Sequence, residues 1–293
     1  MTKVSLLVAV KNEQEYIRDA MDSMLAQSYT SYEVIVVDDG STDHTQSILK
    51  TYEHDKRVKI VLSGGVGKNN AFNMAFAESS GDYIAFFAGD DVMLPDSIES
   101  RMRVISQHAG DVLLLSKLKI LSTDPALDGS VLPKNTLLGN RTGGSMLFPR
   151  SLFERVYPLP GFLPNEDLWL NIYCDIFDVA IVHHPVVTYR LRVHNNNSYS
   201  NFPSFDKKSR AIHDRELAYY SFLERYRSEL TDEKREELHR SAGLEILRFN
   251  GDILSIFFMS KVSIKKKLRA ILYASPILYW LRVKVGSFLS GWI

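Results

Sequence analysis

Three acidic pairs stand beside apolar runs in this 293-residue chain: Asp38–Asp39, Asp90–Asp91 and Glu166–Asp167. The first closes Val34–Val37 and opens into Gly40-Ser41-Thr42-Asp43. Ser41 or Thr42 can cap a following helix, and Asp43 suits its positive end. A turn alone does not explain two carboxylates at a strand end, because they repel unless one holds a base, a ribose or a cation. The second pair follows Phe86-Phe87-Ala88-Gly89. Paired carboxylates at the mouth of a strand suit a hard divalent cation, which takes oxygen ligands from one or two carboxylates and from substrate phosphates. A solvated turn, with Asp91 or Asp96 assisting the next helix, uses the same residues. The third pair precedes Leu168-Trp169-Leu170. By itself it reads as acids at a helix N-terminus.

These residues need elements to hold them. Val4–Val10, Glu33–Val37 and Val58–Leu62 are short apolar runs, with helical periodicity over Glu13–Gln27 and Thr42–His54 between them. That alternation predicts an α/β fold with a mostly parallel sheet. Ile17, Ala20, Met21, Met24 and Leu25 mark the face the first helix turns to the sheet. Further along, a helix over Ala71–Ala77, a strand over Tyr83–Phe87, a helix opened by Pro95 and running to His108, and a strand over Val112–Leu115 are expected. In such sheets ligands sit beyond the carboxyl ends of the strands, which is where the first two pairs fall.

Composition bounds the rest. At 45% hydrophobic and 24% charged residues, the chain can bury a sizeable core without disulfides, which excludes a disordered or stapled scaffold. Thirty-five basic residues balance thirty-five acidic ones, so no overall field favours nucleic acid, and no nucleic-acid partner is expected. A lone Cys174 forms no intrachain disulfide, in agreement with a reducing, cytoplasmic setting. The apolar run after Lys3 is too short for a signal peptide and passes directly into Lys11-Asn12-Glu13. No apolar run reaches the roughly 18 residues of a membrane span.

Beyond Phe205 the texture becomes mixed-charge and helical, dividing the chain into residues 1–205 and a helical region 206–293. From Lys261 onward there are seven Lys or Arg residues and no acid, interleaved with apolar residues from Ile271 to Phe288 and Trp292, and Ser275-Pro276 marks a helix break. Basic residues beside Trp, Tyr and Leu suit an interfacial helix on an anionic membrane, peripheral on its inner face. A helix packing its apolar side on the first region, with solvated lysines, accounts for the same pattern.

Taken together, Val4–Glu13, Val-Val-Asp-Asp-Gly-Ser-Thr-Asp at 36–43, Gly67-Lys68 with Ala71-Phe72-Asn73, Gly81–Phe87 leading into Asp90-Asp91, and Glu166-Asp167 resemble glycosyltransferase family 2. The resemblance covers about the first 200 residues. It implies a GT-A fold, Rossmann-like, with a C-terminal helical extension, and inverting transfer from a nucleotide-sugar such as a UDP-sugar to a glycan or lipid-linked glycan. Ala9, Val10, Asn12, Glu13, Asp38, Asp39, Lys68, Asn73 and Asp90 would then meet the donor. Asp90 and Asp91 would hold Mg²⁺ or Mn²⁺, and Asp167, with Glu166, would form the catalytic pair. Ala88 replaces the first acid of the family's Asp-x-Asp motif. Tyr189-Arg190-Leu191-Arg192 resembles a Tyr-Arg-x-His element in which Arg192 takes the histidine's place, leaving His194 as a further metal or phosphate ligand or a polar loop residue.

Other readings are weaker. A dinucleotide-binding oxidoreductase needs a G-x-G-x-x-G turn where Val10-Lys11-Asn12-Glu13 stands. A sugar nucleotidyltransferase needs a basic Gly-rich loop after the first strand, which is absent. Ala88 leaves open a non-catalytic relic that binds sugar-nucleotide or glycan. His183 and His184 read as strand-end surface residues, and the Asn-x-Ser/Thr matches at Asn140 and Asn196 as chance occurrences.

Overall fold

The computed structural model describes residues 2–194 and 204–286. Asn196, Phe288 and Trp292 lie outside them. Two compact units divide the chain, Met1–Tyr199 and Ser200–Ile293.

In the first unit the alternation of elements is β1 (Val4–Val10), α1 (Ile17–Leu25), β2 (Tyr32–Asp38), α2 (Thr45–Lys50), β3 (Val58–Leu62), α3 (Lys68–Ala77), β4 (Tyr83–Ala88), β5 (Val92–Met93) and α4 (Ser97–Ile105). There follow β6 (Val112–Ser122), β7 (Val131–Leu132), a 3₁₀ turn at Gly143–Ser145, β8 (Met146–Pro149), α5 (Arg150–Val156), α6 (Asp167–Ile176) and β9 (Ala180–Val193). Among the described residues nine strands form one sheet in the order β3-β2-β1-β4-β8-β6-β9-β5, with β7 beside β6. The run β3-β2-β1-β4 is parallel, while β8 enters antiparallel between β4 and β6.

The strands β1, β2 and β4 are apolar at nearly every position because helices cover both faces of the sheet. On one side Ile17, Ala20, Met21 and Met24 of α1 pack with Leu6, Val8 and Val34. Register then decides where the acids go. Val10 pairs with Asp38 and Ala9 with both Val37 and Ala88, so β1, β2 and β4 end together and their following loops share one edge.

The structure trims several expected helices. The first begins at Ile17, because the Tyr16 and Ile17 amides both turn back onto the Glu13 carbonyl. The second begins at Thr45, whose amide donates to Asp43 Oδ1. By contrast α3 starts three residues earlier than Ala71, at Lys68. His183 and His184 sit inside β9 rather than at a strand end, and His183 Nδ1 accepts from the Gly139 amide at 3.1 Å.

The second unit is helical: α7 (Phe205–Arg225), α8 (Asp232–Phe249), α9 (Ile253–Phe258), α10 (Ile264–Leu272) and α11 (Pro276–Gly286). Its long pair buries Ala218, Phe222, Leu223 and Leu238. Buried Arg248 is met by Glu245 at 2.5 Å and by Ser209 and the Tyr273 carbonyl, so its charge is paired rather than stranded. The helix break falls at Ser275-Pro276 as expected, with Pro276 opening α11.

Candidate active site

At the shared strand edge, the loop after β1 and the turn after β2 lock together. Asn12 adopts φ 58°, a left-handed conformation asparagine tolerates. Its amide N–H donates to Ser41 Oγ at 2.9 Å, and its side-chain oxygen accepts from the Thr42 amide at 2.8 Å. The Glu13 amide donates to Thr45 Oγ1 at 2.8 Å. Ala9 and Val10 close β1 beside them.

The two carboxylates of the first pair have different work. Asp39 accepts from Ser63 Oγ at 2.7 Å and from the Val66 and Gly67 amides at 2.6 and 3.0 Å, and so shapes the loop leading into α3. Gly40 permits that approach, since a Cβ there would lie 3.0 Å from the Gly65 nitrogen and its φ is 74°. Asp38 is fully buried, with Oδ1 accepting from the Ser41 amide and Gln46 and Oδ2 buried without a hydrogen-bond partner.

The second pair splits as well. Asp91 turns inward, nearly buried, and accepts from the Arg192 amide at 2.8 Å. Burial and the neighbouring Asp90 push its carboxyl well above the usual range, outweighing the Arg192 amide and Lys68. Asp90 lies in the bend between β4 and β5 and meets other partners. Its Oδ2 lies 3.2 Å from His194 Nε2, and one ligand atom each from Glu13, Asp90 and His194 falls within a 4.8 Å group. Burial, then Asp90 and Asp43, raise Glu13 to about 8. Glu13, expected as a donor contact, therefore joins the candidate cation site, whereas Asp91 is outside this group.

Arg192, which stands where the family has histidine, is a strap. It donates through Nε to the Asp90 carbonyl at 2.8 Å, pairs with Asp19 at 3.0 Å and covers the Tyr16 ring at 4.6 Å. Tyr16 in turn lies against the His194 ring at 4.7 Å. Sequence reasoning noted Arg192 only as a departure and passed over Tyr16; no local pattern marks either contact, which spans more than 100 residues.

The third pair arrives from the far end of the unit. Glu166 is nearly buried and ion-pairs with Lys68 at 2.9 Å. Gly143 makes room for it, since a Cβ there would fall 2.2 Å from Glu166 Oε1. Burial opposes the charge on Lys68, but Glu166, Asp167 and Asp90 together outweigh it and raise the lysine above its ordinary range. One ammonium thus faces the second and third acidic pairs. Asp167, also nearly buried, opens α6 and accepts from the Leu168 amide at 2.7 Å.

Helix α3 clamps the segment that carries Glu166–Asp167. Asn69, fully buried and missed in the sequence, donates to the Pro160 carbonyl at 3.0 Å. Asn73, expected at the donor, holds Leu159 in both directions instead, donating to its carbonyl and accepting from its amide, each at 2.8 Å. Asn73→Ala is expected to lower unfolding free energy by about 1–3 kcal/mol, because it strands a buried backbone amide. Urea denaturation measures that loss; UDP affinity of the folded variant should stay within about twofold of wild type, a shift of under about 0.5 kcal/mol.

A cation fits the Glu13–Asp90–His194 group. Burial first, and then the neighbouring Asp90, raise Glu13, and a divalent ion would offset both by meeting the two carboxylates. Imidazole beside carboxylates suits Mn²⁺ better than Mg²⁺, which prefers an all-oxygen shell.

The parallel run ending in a common edge, flanked by helices and followed by the antiparallel β8, is the GT-A type of α/β fold. Residues 5–156 match the family model Glycosyl transferase family 2, which spans more than half of the chain, and the chain belongs to this family. A glycosyltransferase of Nostoc sp. is 26% identical over 67% of this chain and 66% of its own length. Poly(ribitol-phosphate) beta-N-acetylglucosaminyltransferase TarS of Staphylococcus aureus is 31% identical over 48% of this chain and 26% of its own. This chain thus spans less than two thirds of the length of these relatives. The structure of TarS 1–349 in complex with UDP-GlcNAc superposes with a TM-score of 0.63 at 17% identity, covering 97% of this chain and 88% of that one. Mannosyltransferase PcManGT from Pyrobaculum calidifontis, in complex with GDP-Man and Mn²⁺, superposes at 0.59 with 15% identity over 96% and 86% of the two chains.

Proposed function

We propose that this protein transfers a sugar from a nucleoside diphosphate donor, a UDP-sugar, to a hydroxyl of a glycan or lipid-linked glycan, with inversion at the anomeric carbon. The observation that carries the reading is the ion pair of Lys68, at the start of α3, with Glu166 at 2.9 Å, which joins the loop shaped by Asp39 to the Glu166–Asp167 pair. The family match and the UDP-GlcNAc complex of TarS support a sugar-nucleotide donor.

A sugar hydroxyl is a poor nucleophile at neutral pH until its proton is removed. Asp167 takes that proton as the hydroxyl oxygen bonds to the anomeric carbon, and the bond to the diphosphate breaks on the opposite face, its electron pair leaving with the phosphate oxygen. Glu166 is held by Lys68 at 2.9 Å, and the base is assigned to Asp167, the nearly buried carboxylate that opens α6 beside it. Lys68 places positive charge near the departing diphosphate, and Arg192 holds the Asp90 turn in position. Glu13, Asp90 and His194 would hold Mn²⁺ or Mg²⁺, which when bound neutralises charge developing on the leaving group.

A nucleotide-sugar screen by thermal melting with Mn²⁺ tests the donor. A saturating UDP-sugar should raise the melting temperature by on the order of 5 °C, while GDP-mannose should leave it unchanged. Slow hydrolysis of the donor separates an enzyme from a binding relic, and proton NMR of the product reads its anomeric configuration. A product that keeps the donor's configuration would refute single displacement.

A further inference from the structure

The second unit carries apolar side chains that its own helices leave uncovered. Leu254, Phe257 and Phe258 of α9 are 72%, 63% and 75% exposed, and Ile264 and Leu268 of α10 are 76% and 55% exposed. The two helices adjoin: Ile256 packs with Ala270 and Ala274, and Lys267 Nζ donates to the Phe257 carbonyl at 2.8 Å. Ile264 and Leu268 lie one turn apart on α10, rotated off the line of Ala270 that meets the bundle. Large exposed apolar patches of this kind mark interaction sites.

We propose that the α9–α10 corner docks this protein on an anionic lipid bilayer, with Phe257, Phe258, Ile264 and Leu268 entering the acyl boundary and Lys265, Lys266 and Arg269 meeting the headgroup phosphates. Charge selects the occupant. Residues 253–293 contain seven Lys or Arg and no Asp or Glu. Four of the nine residues of α10 are cations. A second copy of the chain seated on the same patch would bring those cations against their own kind, because a two-fold contact pairs identical surfaces. An anionic leaflet complements them, at about fivefold in affinity per lysine near the surface. Lys261 contributes less, since Glu236 lies 3.7 Å from its ammonium. No helix among the described residues is long and apolar enough to cross a membrane, so α10 lies in the plane of the interface. Phe257 and Phe258 precede the basic tail and were not part of the pattern read from sequence. The docking surface is independent of the transfer reaction.

Sedimentation of the full chain with vesicles tests it. Binding is expected to phosphatidylcholine mixed with phosphatidylglycerol, not to phosphatidylcholine alone, and to weaken as salt rises. A variant carrying Phe257→Ser and Phe258→Ser should lose binding. One carrying Lys265→Gln and Lys266→Gln should bind about 30-fold more weakly. All four side chains are exposed, so melting temperature and donor hydrolysis should stay at wild-type values; if the phenylalanine variant fails to fold, the lysine variant carries the test. Absence of wild-type binding to the anionic vesicles, equal binding to neutral ones, or unchanged binding by the lysine variant would overturn the proposal. Wild-type self-association abolished by the phenylalanine changes, without vesicle binding, would assign the patch to a second copy and overturn it too.

Discussion

Asp167→Asn is expected to lower the turnover of sugar transfer by about 10²–10⁴-fold, the usual contribution of a positioned general base. Asparagine has nearly the same shape and keeps an oxygen that can accept from the Leu168 amide, as Asp167 Oδ1 does at 2.7 Å. It lacks the basicity to take a proton from the acceptor hydroxyl. Because Lys68 is held mainly by Glu166, donor affinity measured by calorimetry should change by less than about twofold, under about 0.5 kcal/mol. A selective loss of turnover is the signature of an interaction made only in the transition state. Transfer at the wild-type rate would remove Asp167 from the mechanism and turn attention to Glu166.

Asp90→Asn is expected to lower kcat/KM by about 10²–10³-fold and to abolish its dependence on Mn²⁺. A second, independent readout follows from Glu13, which burial and then Asp90 and Asp43 raise to about 8. An acid whose folded pKa lies above its usual 4.5 binds protons more tightly folded than unfolded, so this contribution to stability is intact below about 4.5 and is lost as pH rises through about 8. Without metal, the wild type should therefore become less stable across that window. Asp90→Asn removes one cause of the crowding, so the variant should lose less stability over the same range in EDTA, even as it loses activity. Urea titrations at pH 5 and pH 8 measure the difference. Identical pH dependence in the two proteins would show that Asp90 does not face Glu13.

These two predictions rest on residues of unequal visibility in the sequence. Asp90 and Asp167 flank apolar runs, and their runs became β4 and α6. The strands Val4–Val10 and Val58–Leu62 were readable to the residue because short runs rich in valine, isoleucine and leucine, bounded by polar segments, favour the strand. Of the later part of the sheet only the start of β6, Val112–Leu115, was readable. β8 has only four residues, and β9 contains Pro185, which argues locally against a strand. It is accommodated where the pairing of β6 with β9 shifts register after Leu115–His183.

Chain order and local period determined the alternation of strand and helix, the helical break at Pro276 and the placing of the first two acidic pairs at strand ends, because those features follow from which neighbours face the core. Only the tertiary structure decided which carboxylate of each pair serves what. Asp39 and Asp91 are taken up by backbone amides, while Asp90 is left with Glu13 and His194, and Lys68 reaches across to Glu166. Such assignments join residues about 25 to 100 positions apart, and they depend on sheet register and on how each loop closes, neither of which any short window of the chain encodes.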